Sequence, residues 1–130
     1  MGLFRKRSDP EAEHVRAAFA TVAGAVDAAQ RGLLAAIPTA RDPGVPLAQA
    51  LAEFGLNLDE AARAMPGWRH DRVVHEWTSC SEAIADARAE AKRLRLEPSA
   101  LDFEALNSRV GDVLHPLERF SDAERMVRRL

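Results

Sequence analysis

Four histidines, twenty acidic residues and one cysteine are the groups in this sequence with the widest chemical reach. A helical di-iron or di-manganese centre takes a glutamate from each of two helices and a Glu-x-x-His pair from each of two others. Glu11-Ala-Glu-His14 has that spacing once, and Asp112-Val-Leu-His115 is its near relative. Helical phase argues against both. With Val15 and Phe19 on an apolar seam, His14 lies off the seam's centre, while His75 and His115 fall at positions that point away from theirs. His70 is nearly in phase, yet the preceding helix offers Glu53, Asp59 and Glu60 and no histidine, and Glu53 directly precedes seam residue Phe54. No metal site and no cofactor are expected.

Nucleophilic chemistry is no better supplied. Cys80 falls on an apolar seam, where desolvation raises a thiol pKa and keeps the group inert. The chain has no glycine-rich phosphate loop, paired-cysteine motif or nucleophile elbow, so no catalytic residue is assigned. Glu82, Asp86 and Glu90 lie at four-residue spacing on one side of a helix. They read as a solvated face or, more sharply, as an acidic strip that docks an arginine-rich partner.

Composition narrows the classes further. Apolar residues are 47% of the 130 and charged residues 29%, as in a folded globular domain. Alanine is the commonest residue, which favours helix. The formal net charge is -2, with both signs interspersed along every segment, so a nucleic-acid partner is not expected. One cysteine cannot form an internal disulfide, which makes the cytoplasm the default location. No apolar run approaches the ~20 residues of a membrane span, and no signal-peptide core follows Met1.

The elements that must position these groups are helices. The strongest pattern is Trp68 to Leu96, where Val73, Trp77, Cys80, Ile84, Ala87, Ala91 and Leu94 alternate at spacings of four and three. Trp77 is on the seam and Trp68 at a partly exposed turn, so Trp77→Ala is expected to cost more stability than Trp68→Ala. A first helix, capped by Ser8 with Glu11 completing a capping box, runs to about Ile37 on the seam Val15, Phe19, Val22, Val26, Ala29, Leu33 and Ala36. The proline-rich stretch Pro38 to Pro46 is a loop. A second helix, Leu47 to Met65, carries Leu47, Leu51, Phe54, Leu58, Ala61 and Met65 inward, with a kink or close contact expected at Gly55, and Pro66-Gly67 ends it. After a break at Glu97-Pro98, Ser99 caps a fourth helix on Phe103, Leu106, Val110, Val113, Leu117 and Phe120, interrupted at Pro116. Ser121 to Glu124 reads as a capping box for a short tail helix. The fold expected is all-α: an antiparallel up-down four-helix bundle with a short C-terminal fifth helix, formed by residues 9–130 as one domain behind a flexible basic tail, residues 1–8.

Three surfaces remain as functional candidates. Ala17, Ala20, Gly24, Ala28 and Ala35 lay small residues along a face of the first helix beside its seam, a place where a second copy's helix can come close. Phe19, Phe54, Trp77 and Phe103 would line a pocket if the bundle held a ligand, although the seams bring almost no polar atoms to it. Leu3, Phe4, Arg5, Lys6 and Arg7 would give a weak tether to an anionic membrane surface. The leading expectation is a non-catalytic interaction protein, an adaptor or subunit with protein partners, self-associating through its first helix. The alternatives are a ligand-binding or enzymatic bundle and membrane-surface association.

Overall fold

The computed structural model describes residues 9–37, 45–97 and 102–130, with the side chains at 45 and 46 excepted. The basic tail from Leu3 to Arg7 and the proposed caps Ser8 and Ser99 lie outside the described residues. Among the described residues every regular element is helical: α1 (Pro10–Ala36), α2 (Val45–Ala64), α3 (Val74–Leu96), α4 (Phe103–Leu114) and α5 (Arg119–Arg128). Short 3-10 turns, Met65–Trp68, Asp71–Val73 and His115–Glu118, join them.

Pairwise contacts fix the topology as antiparallel. The end of the α2 segment meets the start of α1, with Gly67 against Ala18 and His70 Nε2 3.4 Å from Glu11 Oε1. Arg88 of α3 reaches Asp59 of α2 at 2.7 Å. Arg109 of α4 reaches Glu97 at 2.6 Å, and further along Arg119 of α5 reaches Asp86 at 3.2 Å. Phe120 of α5 then meets Phe19 of α1, ring centroids 6.3 Å apart. The chain is the expected up-down bundle, in which α4, its 3-10 turn and the short α5 succeed one another along the fourth side.

The four seams meet in one apolar cluster. The seam residues of the first helix from Val15 to Leu33 are buried, as are Leu51, Phe54, Leu58, Ala61 and Met65 of the second, while Ala36, the last residue of α1, is half-buried. Pro116 sits in the turn His115–Glu118, where a missing N–H costs a 3-10 turn little, and α5 resumes at Arg119.

The departures are local and have physical causes. Asp9, not Ser8, caps α1 by accepting from Glu11 N at 3.0 Å, with Pro10 as the first helical residue. Asp102 caps α4 through Ala105 N at 2.7 Å. Ser121 caps nothing, because α5 has already begun at Arg119 and continues directly from the preceding turn. Helix α2 runs unbroken through Gly55, and Leu47, on its first turn, is only half-buried. Phe103 is 53% exposed, since it is the first residue of α4, at the bundle's end.

The largest departure concerns the two tryptophans. The organising helix starts at Val74 rather than at Trp68, because Pro66 and Gly67 lie in one 3-10 turn and His70 is extended, its Nδ1 accepting from Arg72 N. Trp68, expected at an exposed turn, is fully buried. Its ring stands edge-on to Phe19 at 4.9 Å, and its Nε1 points at Met65 Sδ at 3.1 Å. Trp77, expected in the core, is half-buried; its Nε1 donates to the Met65 carbonyl at 2.8 Å, and the Arg69 guanidinium lies 5.1 Å above the ring. Gly67 permits the arrangement, for a Cβ there would stand 2.9 Å from the Cβ of Ala18.

These positions reverse the expected mutational order. Trp68→Ala removes a fully enclosed indole and should cost ~3–5 kcal/mol, whereas Trp77→Ala, which loses one hydrogen bond and part of an exposed ring, should cost about 2 kcal/mol. Urea melts of the two variants against the parent protein measure both.

Candidate functional site

The chemically reactive groups are held apart or already occupied. Among the described residues no three of His, Cys, Asp and Glu gather where they could hold a metal ion. His14 and His75 are exposed, and His115 Nδ1 lies 3.1 Å from Glu118 on the surface. The companion of His70, sought on the second helix, comes instead from Glu11 of α1.

The acidic strip on α3 meets arginines of its own chain. Asp86 is engaged by Arg119, while Glu90 pairs with Arg93 on the next turn and lies 3.5 Å from Arg109. Arg109 also bonds Glu97 and, at 3.1 Å, Asp112, so three carboxylates surround one guanidinium between α3 and α4. The hydrogen bond it donates to Glu97, more than the others, raises its pKa above the ordinary arginine value. Local spacing displayed the acids; it had no means of showing that cations 19 or 33 residues further on would face them.

The four aromatics proposed as a pocket do not converge. Phe19 packs on Trp68 and Phe120 near one end, Phe54 is enclosed in the core, Trp77 binds the Met65 carbonyl, and Phe103 stands in solvent at the start of α4. Of the four, Phe19 borders an open groove among the described residues.

That groove belongs to α1. Helix α1 packs most extensively along α2 and much less on α5. Two half-buried small residues, Ala18 and Ala25, lie on its packed side. Between α1 and α5 the closure is incomplete: a depression of about 330 Å³ is floored by Phe19, Ala20, Ala23 and Val127 and rimmed by Arg16 and Arg128. A second, of about 230 Å³, continues it past Val26 and Phe120 to Gln30. Arg128 is tied to Glu124 on the rim.

The small-residue face sits beside this groove. Ala17, Ala20, Gly24, Ala28 and Ala35 are all exposed, so neither α2 nor the fourth side of the bundle covers them. From Ala17 to Val26 α1 carries no charged side chain, and a Cβ added at Gly24 would meet nothing within 4 Å. The small residues that do meet a neighbouring element inside the chain are a different set, represented by Ala18 against Gly67.

Among the described residues, no helix is long and apolar enough to cross a membrane. Compared with known families, characterised proteins and solved structures, the chain has no significant match.

Cys80 is the remaining reactive group, and its surroundings suppress it. It is fully buried beneath α5, with Sγ 4.0 Å from the Arg119 carbonyl. Burial pushes its thiol up from 9.0 to about 12, and the charge of Arg119 offsets this only in part. An unfolded chain therefore loses this proton from about pH 9 while the folded chain retains it to about 12, so ionisation favours unfolding across that window. Stability should be independent of this thiol below pH 8 and should fall as pH rises beyond 9. Comparing urea melts of the parent and Cys80→Val over that range should show a shallower decline in the variant.

Proposed function

We propose that this chain is a non-catalytic helical-bundle interaction protein of the cytoplasm, an adaptor or subunit, that self-associates through α1. The observation that carries the reading is the outward face of α1. It is free of charge from Ala17 to Val26, exposed at every small residue singled out, and bordered by a groove with an apolar floor. Small side chains let two helix backbones approach, while the floor of Phe19, Ala23 and Val127 offers apolar area beside them. Arg16, Glu124 and Arg128 stand at the edges, as polar groups do around the dry centre of an interface.

A two-fold axis passing near Gly24 would set each α1 against its copy, burying the same patch on both chains, and such an interface closes at the dimer. Cys80, a free thiol enclosed in the core, fits a reducing compartment.

Gly24→Glu tests the reading cleanly, because the open space around Gly24 lets the glutamate extend without disturbing the monomer. Sedimentation velocity should find the parent protein dimeric and the variant monomeric, with unchanged circular dichroism. A parent protein that remains monomeric at high micromolar concentration would remove the proposal.

A further inference from the structure

The side of the bundle formed by α2 and α3 carries a second, differently built groove. It has a volume of about 400 Å³, with Leu51 and Ala91 at its base and Gly55 and Leu56 along the α2 wall. Leu56 is 67% exposed, a large apolar side chain forming an open lip. A Cβ at Gly55 would meet nothing within 4 Å, so this residue leaves a notch in the wall. The α3 wall is basic: Arg88, Lys92 and Arg95 follow one another at spacings of four and three. Among the described residues Asp59 is the one acid lining the groove, and it is already engaged by Arg88. Among the described residues no carboxylate pairs with Lys92 or Arg95.

We infer that this groove docks an acidic amphipathic helix of a partner protein. Its walls run along two antiparallel helices for about 12 Å, two turns of a third helix laid between them. The notch at Gly55 takes an apolar side chain from that helix, above Leu51 at the base and beside the exposed Leu56. Carboxylates one turn apart on the partner's edge then face Lys92 and Arg95, whose spacing matches successive helical turns. Two unpaired cations, Lys92 and Arg95, beside an exposed leucine suit an acidic peptide better than a nucleic acid, whose binding gains from many cations and little from leucine. The inference is independent of self-association, because α1 contributes nothing to this groove.

The test uses a fluorescein-labelled synthetic peptide of about 14 residues, with leucines at helical i, i+3, i+4 and i+7 spacing and glutamates flanking them. Its counterpart has lysine at every glutamate. Anisotropy should show the acidic peptide binding the full chain, the lysine peptide not binding, and the affinity falling as salt is raised. The double substitution Lys92→Gln and Arg95→Gln should weaken binding roughly tenfold. Gly55→Phe should fill the notch and abolish binding while circular dichroism stays that of the parent, and Gly24→Glu should bind as the parent does. Equal binding of the two peptides, no binding of either at high micromolar concentration, or indifference to Gly55→Phe would overturn the inference. So would phosphatidylserine vesicles binding in a Lys92- and Arg95-dependent way where the acidic peptide does not, since that result assigns the groove to a membrane surface.

Discussion

The seating of Trp68 is the constraint on which the rest of the bundle depends. Its indole is completely enclosed at the corner between α2 and α3, held edge-on to Phe19 of α1. Because Phe19 also meets Phe120, one aromatic contact on α1 relates the turn after α2 to the last helix. The turn approaches so closely that Gly67 has no room for a Cβ against Ala18, which fixes where α2 stops relative to α1. Met65 adds to the junction twice, its sulfur beside the Trp68 Nε1 and its carbonyl accepting from Trp77. The start of α3 is thereby tied to the end of α2, and the seam from Cys80 to Leu94 is delivered to the core in phase.

Helical periodicity carried most of this architecture into the sequence, and it failed where a turn interrupted the phase. Val15 to Leu33, Leu51 to Met65 and Leu106 to Phe120 all lie in the core as their spacing requires, because each run belongs to a continuous or nearly continuous helical segment. Trp68 is expected to be partly exposed because it stands at a turn, but the 3-10 and extended chain from Met65 to His70 folds its indole inward against Phe19. Caps shifted for a related reason. Serine and aspartate are both good caps, and the choice between neighbours depends on where the first helical turn begins, which Pro10 decides in favour of Asp9. Of the candidate surfaces, the small-residue face was legible as a pattern, but its exposure follows from which neighbours α1 packs on, a tertiary fact. The grooves beside α1 and between α2 and α3 depend on imperfect closure of a bundle and leave no periodic trace.

Electrostatics divides the bundle into two unlike halves. On the side of α3 that faces α4 and α5, the acids meet arginines: Glu90 and Glu97 with Arg109, Asp86 with Arg119. Exposed pairs of this kind contribute little to stability one by one, but a guanidinium bonded to three carboxylates fixes the register of two helices. Of the strip, Asp86 and Glu90 are thereby engaged, while Glu82 is exposed and has no cation partner among the described residues. On the side of α3 that faces α2, Arg88 is neutralised by Asp59, and among the described residues no carboxylate pairs with Lys92 or Arg95. The same helix is therefore electrostatically closed along one flank and open along the other.

Glycine marks what the fold alone does not explain. In an exposed helix interior, glycine costs roughly 0.5–1 kcal/mol relative to alanine. Gly67 is accounted for by its contact with Ala18, whereas at Gly24 and Gly55 a methyl group would touch nothing inside the chain. Open space is not by itself a mark of function, since Gly32 and Gly111 share it. Those two, however, sit next to the charged residues Arg31 and Asp112, on faces that water solvates well. Gly24 lies within the uncharged stretch Ala17 to Val26 of α1, one turn before the exposed Asp27–Arg31 ion pair, and Gly55 lies in the α2 wall of the groove that faces the α3 cations. At both positions an added Cβ would leave the monomer's packing intact and change the shape presented outward. That is the expected signature of a residue whose size matters to something that approaches from outside the bundle.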